Sequence, residues 1–386
     1  MDKLKHRTTI GEFFSGLDYV TIITAMIASA YGLTLVYSAT YSSLSDGDMF
    51  SSEFISMFVT VIGGIIVALI LSMVNYELIS KLWPFIAVAC IVLMIITYFF
   101  GVAPSSRQTA RSWLDFGLFT VQTSELMKVG FIISFSYHLD IVKDHLNKLK
   151  TIILLVIHGA IPILLVLLTD DAGSALIFLI MFIGMVFVAK INIGYFIGGL
   201  SAIIVGFIVA WETGIISGTQ RQRIVALFYP DYYEDIMYQQ VNGKIAIGSG
   251  GLFGEGYLNG TMTQSGLVPE NQNDMILTVA GEEFGFVGTV AVLLILAVLV
   301  IKVFKVGLKA RDNVGYLMCM GVGIMLFAQV VVNVGMELSL LPCIGITLPL
   351  FSAGGSSSFS IYLAIGLVLS VYRYSKDQQK TLFYLN

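Results

Sequence analysis

Three carboxylates stand where carboxylates are costly. Asp274, Glu282 and Glu283 lie in VPENQNDMILTVAGEEFGFVG, residues 268–288, which joins a long polar stretch to an apolar one. Asp274 sits at the seam, just before Met275, Ile276 and Leu277. Glu282 and Glu283 follow two turns deeper, inside what reads as a membrane-spanning helix. An ionisable side chain at such a depth costs at least ~2.5 kcal/mol, so a chain that keeps three of them implies a task. An Asp at such a seam is equally an ordinary helix N-cap, and spacing leaves both readings open for Asp274. Capping fits Glu282 and Glu283 less well, since they lie past the first turn.

A second polar group precedes it in the chain. Residues 111–117 read RSWLDFG, followed by Gln122, Ser124, Glu125 and Lys128. Glu125 and Lys128 are three apart and share one helix face. They can neutralise each other as a buried pair, or line a cavity that takes a ligand headgroup. Arg111 beside Trp113 suits an interfacial anchor, and arginine also suits phosphate. Asp170 and Asp171 begin a helix, where acidic residues ordinarily cap. Arg221 and Arg223 form a small cationic patch, either solvated or anion-binding. The glycine-rich GSGGLFGEG at 248–256 provides flexibility or close backbone approach. Without a strand-then-helix context it is no dinucleotide motif. PLFSAGGSSS at 349–358, with Ser356, offers small and hydroxyl side chains for close packing or a polar ligand.

These groups need a scaffold, and composition says which kind. Of 386 residues, 57% are hydrophobic and 12% charged, against about 25% charged in a soluble protein. Mean hydropathy is +0.88. The chain is an integral membrane protein, and its net charge of -4 argues against nucleic acid. Cys90, Cys319 and Cys343 have no metal-ligand spacing, and the four histidines are scattered, so no metal site from protein ligands alone is expected. The first residues lack a small-residue cleavage site, so no removable signal peptide is expected.

Ten apolar runs have the character of helical spans: 19–37, 54–74, 82–100, 126–139, 152–168, 172–188, 193–211, 275–301, 314–334 and 359–374. The fourth is short. Continuous rather than alternating runs argue against strands. With the N-terminus inside, fifteen of the 21 Lys and Arg fall on the cytoplasmic side and five outside, as the positive-inside rule requires. The expected fold is therefore all-α: ten transmembrane helices in a single domain over 1–386. It has a cytoplasmic N-terminus (1–18), a large extracytoplasmic loop (212–274) between helices 7 and 8, and a cytoplasmic tail (375–386). The loops expected outside, 38–53, 101–124, 211–274 and 335–358, hold most of the distinctive polar residues.

In order along the chain, RSWLDFGLFTVQTSELMK (111–128), DDAGSAL (170–176), QRQRI (220–224), the long stretch 246–288 and GITLPLFSAGGSS (345–357) resemble the SEDS family (shape, elongation, division and sporulation) of RodA, FtsW and SpoVE. The match runs almost end to end, and NGTMTQ and RSWLDFG are most similar to the RodA form. Departures are local. Many relatives read His-Thr-Asp where this chain has Gln272-Asn273-Asp274, Pro where it has Thr123, and Tyr where it has Ala353.

The resemblance implies a peptidoglycan glycosyltransferase in the bacterial cytoplasmic membrane, serving cell-wall elongation and cell shape. It would polymerise lipid II into β-1,4 glycan at the outer face, with undecaprenyl-diphosphate-linked glycan as donor. A class B penicillin-binding protein would be its partner, among other cell-wall synthesis machinery. Asp274 takes the position of the family's essential aspartate. As general base it would take the proton of the acceptor hydroxyl, an effect of roughly 10²–10⁴-fold. Arg111, Trp113, Gln122, Glu125, Lys128, Arg223, Glu282, Glu283 and Ser356 would bind substrate. Arg111, Arg223, Lys128 or a divalent cation such as Mg or Mn could stabilise the leaving diphosphate. Two alternative functions stay open for this chain: a lipid II flippase, and a non-catalytic scaffold that activates the penicillin-binding partner.

Overall fold

The computed structural model describes residues 16–44, 47–103, 111–117, 120–216 and 218–384, with side chains to 376. Parts of the expected 101–124 loop and most of the expected N-terminal segment lie outside the described residues, as do the side chains of the tail beyond 376.

Helices cover all ten apolar runs. In chain order they are α1 (Tyr19–Tyr41), α2 (Ser52–Leu71), the short α3 (Tyr76–Lys81) and α4 (Trp83–Phe100). A hairpin of β1 (Trp113–Asp115) and β2 (Thr120–Gln122) then leads into α5 (Thr123–Ile141). α6 (Leu149–Leu168), α7 (Ala172–Val188) and α8 (Ile193–Glu212) follow. Three helices fold the long loop: α9 (Gly218–Ala226), α10 (Glu234–Ser249) and the single turn α11 (Thr261–Gln264). α12 (Ile276–Leu308), α13 (Asn313–Glu337) and α14 (Gly355–Tyr384) complete the chain. Eight of these helices, α1, α2, α4, α6, α8, α12, α13 and α14, are long and apolar enough to cross a membrane. α7 is apolar but has only 17 residues, and α5 carries Glu125, Lys128, His138 and Asp140.

Two expectations are corrected. Strands do occur: β1 and β2 pair antiparallel, Trp113 opposite Gln122, in segments of three residues, too short for any alternation to register. Several of the sequence-based boundaries also move outward, three of them across polar residues. α1 continues past Ser38, α5 begins at Thr123 rather than 126, and α14 begins at Gly355, so Ser38, Ser124, Glu125 and Ser356 are all helical.

Capping side chains set several helix starts. Ser51 accepts from the Phe54 N–H (3.1 Å), Asp171 from Ser174 (2.9 Å) and Asp312 from Gly315 (2.7 Å). α2 packs along α14, α12 lies against α1 and α13, and α4 packs along α5. Residues such as Leu35, Met57, Ile132, Phe178, Val322 and Ile365 are buried in the shared core. α8 buries none of its residues. Membrane helices gain little from hydrophobicity against lipid, and association rests on fitted packing and polar links.

The most unusual element is α12. It breaks at Gly285, whose φ of 67° and ψ of -160° suit glycine alone. A break inside a membrane frees backbone groups that must find partners. The glycine-rich loop supplies them. Phe286 and Val287 N–H donate to the carbonyls of Gly251 (2.9 Å) and Leu252 (3.2 Å). Glu255 and Gly256 N–H donate to those of Glu282 (2.9 Å) and Glu283 (3.1 Å). A Cβ on Gly254 would stand 2.1 Å from the Glu283 carbonyl oxygen. Of the two uses the sequence allowed for these glycines, close approach is the one observed.

Candidate active site

Two buried polar clusters form at one end of the bundle. The first joins α5, α7 and α14. Lys128 donates to Glu125 Oε1 at 2.8 Å, with the two side chains 1% and 6% exposed, and Ser360 donates to Glu125 Oε2 at 3.0 Å. One turn earlier, Gln122 Nε2 donates to Asp171 Oδ2 (2.9 Å), and Ser124 lies between Asp171 (3.4 Å) and Ser174 (3.3 Å). The Gln122 N–H donates to Ser356 Oγ (3.0 Å), tying the hairpin to the start of α14. Asp171 caps α7, as the sequence suggests, and the same carboxylate also binds the start of α5.

The second cluster surrounds the start of α12. Asp274 is 6% exposed. Gln239 of α10 reaches its Oδ1 at 3.4 Å, and Asn333 of α13 donates to its backbone carbonyl at 2.8 Å. The helix N-cap position belongs to Met275. The N–H groups of Leu277 and Thr278 donate to the two carboxylate oxygens of Glu337, at 3.2 and 2.9 Å. Glu337, fully buried at the end of α13, thus serves the donors that a seam aspartate would ordinarily cap. Arg223 donates to the Cys343 carbonyl (2.8 Å), Cys343 Sγ contacts Gln239 Oε1 (3.3 Å), and Gln239 continues to Asp274.

A strap, residues 339–354, runs between the clusters. Asn333 donates to its Ile346 carbonyl (2.8 Å), and its Ala353 N–H donates to Gln272 (2.8 Å), two residues before Asp274. On the other side Thr347 bonds Ser357 (2.9 Å), next to Ser356.

The remaining sequence candidates have other neighbours. Both Glu282 oxygens are engaged at the N-terminus of α11, by the N–H groups of Met262 (2.6 Å) and Thr263 (2.9 Å) and the Thr263 hydroxyl (2.6 Å). Glu283 Oε1 accepts from Ser38 (2.5 Å) and Gln264 (3.2 Å). Among the described residues the two share no hydrogen-bond partner with Glu125 or Lys128, because they turn toward α11 and α1. Trp113 is half-buried in β1, and Arg111 is exposed beside it. In the loop, the Thr261 N–H holds the exposed Glu255 carboxyl below its ordinary range. Desolvation and the nearby Glu283 push the Tyr257 phenol up.

The sequence takes Asp171 only as a helix cap and gives Gln239, Asn333, Glu337 and Ser360 no site reading. Glu337 carries a usable signal, a carboxylate next to an apolar run. Gln239, Asn333 and Ser360 are polar residues with no distinguishing pattern. Among the described residues no group of three or more His, Cys, Asp or Glu could hold a metal ion. A cation in this region would need oxygens from a bound diphosphate to complete its shell. A cavity of about 230 Å³, lined mostly by apolar residues such as Trp83, Phe131 and Ile157, lies among α4, α5 and α6 and touches neither cluster's charged groups.

The family model described as cell cycle protein, covering FtsW, RodA and SpoVE, matches residues 18–377. The chain is 28% identical over 374 residues to the peptidoglycan glycosyltransferase MrdB of Escherichia coli K12, covering 95% of this chain and 96% of that one. It is 30% identical over 377 residues to the stage V sporulation protein E of Bacillus subtilis, covering 93% and 98%. Among solved structures it is similar to a chain of a peptidoglycan synthase complex that coordinates polymerisation and crosslinking. The TM-score is 0.76 at 24% identity, over 93% of this chain and 98% of that one.

Proposed function

The chain belongs to the FtsW, RodA and SpoVE family of cell cycle proteins, and on that premise we propose that it is a peptidoglycan glycosyltransferase that polymerises lipid II into β-1,4 glycan. The proposed fold in the membrane has ten spans, α5 and α7 included, in one domain over 1–386. Both termini are cytoplasmic, and the 212–274 loop and both polar clusters face outward. The charge asymmetry and the outward grouping of the polar residues support this arrangement.

Asp274 is the general base of the reaction. The observation that carries this role is that Asp274 does not cap α12. Glu337 holds the Leu277 and Thr278 donors, so the competing explanation for an aspartate at this seam loses its main support. Its backbone is fixed by Asn333, which holds the side chain in place for proton transfer. The acceptor is the GlcNAc 4-hydroxyl of lipid II. Asp274 takes its proton as the oxygen attacks the anomeric carbon of the growing glycan, whose diphosphate leaves. Arg223, linked to Asp274 through Cys343 and Gln239, and Arg111, exposed at the hairpin, are the cations placed to meet phosphate oxygens. When bound, a divalent cation would neutralise the same diphosphate. Gln122, Glu125, Lys128 and Ser356 form the polar wall for the second sugar-lipid, with Trp113 at the membrane interface. Glu282 and Glu283 act less directly, by fixing the loop against α1 and α12. A class B penicillin-binding protein is the proposed partner. The complex to which the fold is similar pairs polymerisation with crosslinking.

Asp274→Asn tests the reading. It keeps size and most hydrogen bonding but removes basicity. Glycan synthesis from lipid II, resolved by gel on protein that still co-purifies with its partner, is expected to fall by roughly two to four orders of magnitude. Wild-type chain lengths from the Asn variant would refute it.

A further inference from the structure

Glu337 is a fully buried carboxylate with no cation among its hydrogen-bond partners. Both of its oxygens accept backbone N–H groups at the start of α12, the bonding pattern of an anion at a helix N-terminus. Those donors lie three and four residues after Asp274. One turn earlier on the same face of α13, Asn333 grips the Asp274 carbonyl and the Ile346 carbonyl together, at 2.8 Å each. α13 therefore holds the Asp274 segment at two points, one by a neutral amide and one by a carboxylate.

We propose that Glu337 is a positioning residue for the reaction: by holding the start of α12 it fixes Asp274 for proton transfer. A glutamine or a serine could also accept from helix N–H groups. Glutamate offers two oxygens at once, and the N–H groups of Leu277 and Thr278 use one each. Other charged groups around Asp274 are arranged differently. Arg223 approaches it through Cys343 and Gln239, and Glu270 precedes it in the turn, with its side chain bonded to Asn273 at 2.6 Å. Glu234, Asp235 and Lys244 of α10 are exposed.

This inference rests on Asp274 being the base, and the experiment separates the two. The rate and the KM for lipid II are measured on the partner-bound protein for wild type, Glu337→Gln, Glu337→Asp and Asp274→Asn. Glu337→Gln keeps the arm length but replaces one acceptor oxygen with an amide that donates, so one N–H at the start of α12 loses its partner. Its maximal rate is expected to fall about tenfold with KM for lipid II unchanged. Glu337→Asp keeps both oxygens on a shorter arm and is expected to lose less. A rate in Glu337→Gln equal to wild type, or a loss carried by KM alone, would overturn the proposal. So would the loss of folded, partner-bound protein in both variants, which would make Glu337 purely structural. Full activity in Asp274→Asn would instead refute Asp274 as base.

Discussion

Removing the Lys128 amine should be among the most damaging single changes in the chain, and its cost can be worked from the structure. Lys128 is 0% exposed, and its ammonium lies 2.8 Å from a carboxylate that is itself buried. In Lys128→Ala, Glu125 keeps only the Ser360 hydroxyl. Breaking one side of a buried pair costs about 3–5 kcal/mol, because the remaining charge is uncompensated. Losing the packed lysine stem adds to that. Glu125 can limit the loss by taking up a proton. Lys148→Ala is the control, since Lys148 is exposed and surface changes stay within about 0.5 kcal/mol. Thermal unfolding of the purified protein in matched detergent reads the difference. The double variant Glu125→Gln with Lys128→Met then separates structure from function. Neutral groups of similar volume replace buried ion pairs at little cost, so stability should return. Polymerisation should not, if the charges meet substrate. Lys128→Ala as stable as Lys148→Ala would refute the buried-pair argument, and wild-type polymerisation in the double variant would refute the substrate role.

Gly254→Ala should unlock the broken helix. Its Cβ would meet the Glu283 carbonyl at 2.1 Å, and its φ of 85° disfavours any side chain. A loss of about 2 kcal/mol or more, with faster proteolysis of the 248–264 loop, is the expected outcome, and an unchanged cleavage rate would deny the interlock. Topology is checked by cysteine labelling from outside the cell. Reagent should reach a cysteine placed at Asp231 and not one placed at Lys148, and the opposite pattern would invert the assignment of faces.

Much of the scaffold could be read in the sequence because continuous apolar runs are a strong signal. The Glu125 and Lys128 spacing also foretold a real contact, since residues three apart on a helix meet. The hairpin at 113–122 was illegible for a physical reason. Two strands of three residues carry no periodicity, and what holds them is a bridge from Val102 to Trp113 and a serine on α14. The break in α12 was equally hidden. GEEFGFVG reads as helix, and only the pairing of its freed backbone with residues 251–256 reveals why Gly285 departs from it.

The charged groups show most clearly where local reading stops. The cost of an ionisable side chain in an apolar helix singles out Glu125, Glu282, Glu283 and, by the same logic, Glu337. It says that each must be satisfied but not by what. In the folded chain one is paired with a lysine, one holds the N-terminus of α11, one receives Ser38 and Gln264, and one holds the N-terminus of α12 from about sixty residues away. Glu282 and Glu337 are thus committed to backbone N–H groups, a use that no spacing rule anticipates because donor and acceptor are distant in sequence. The commitment of Glu337 is what bears on Asp274. A seam aspartate is ambiguous only while the helix beside it lacks a cap, and once α13 supplies the cap, capping no longer competes with the role proposed for Asp274.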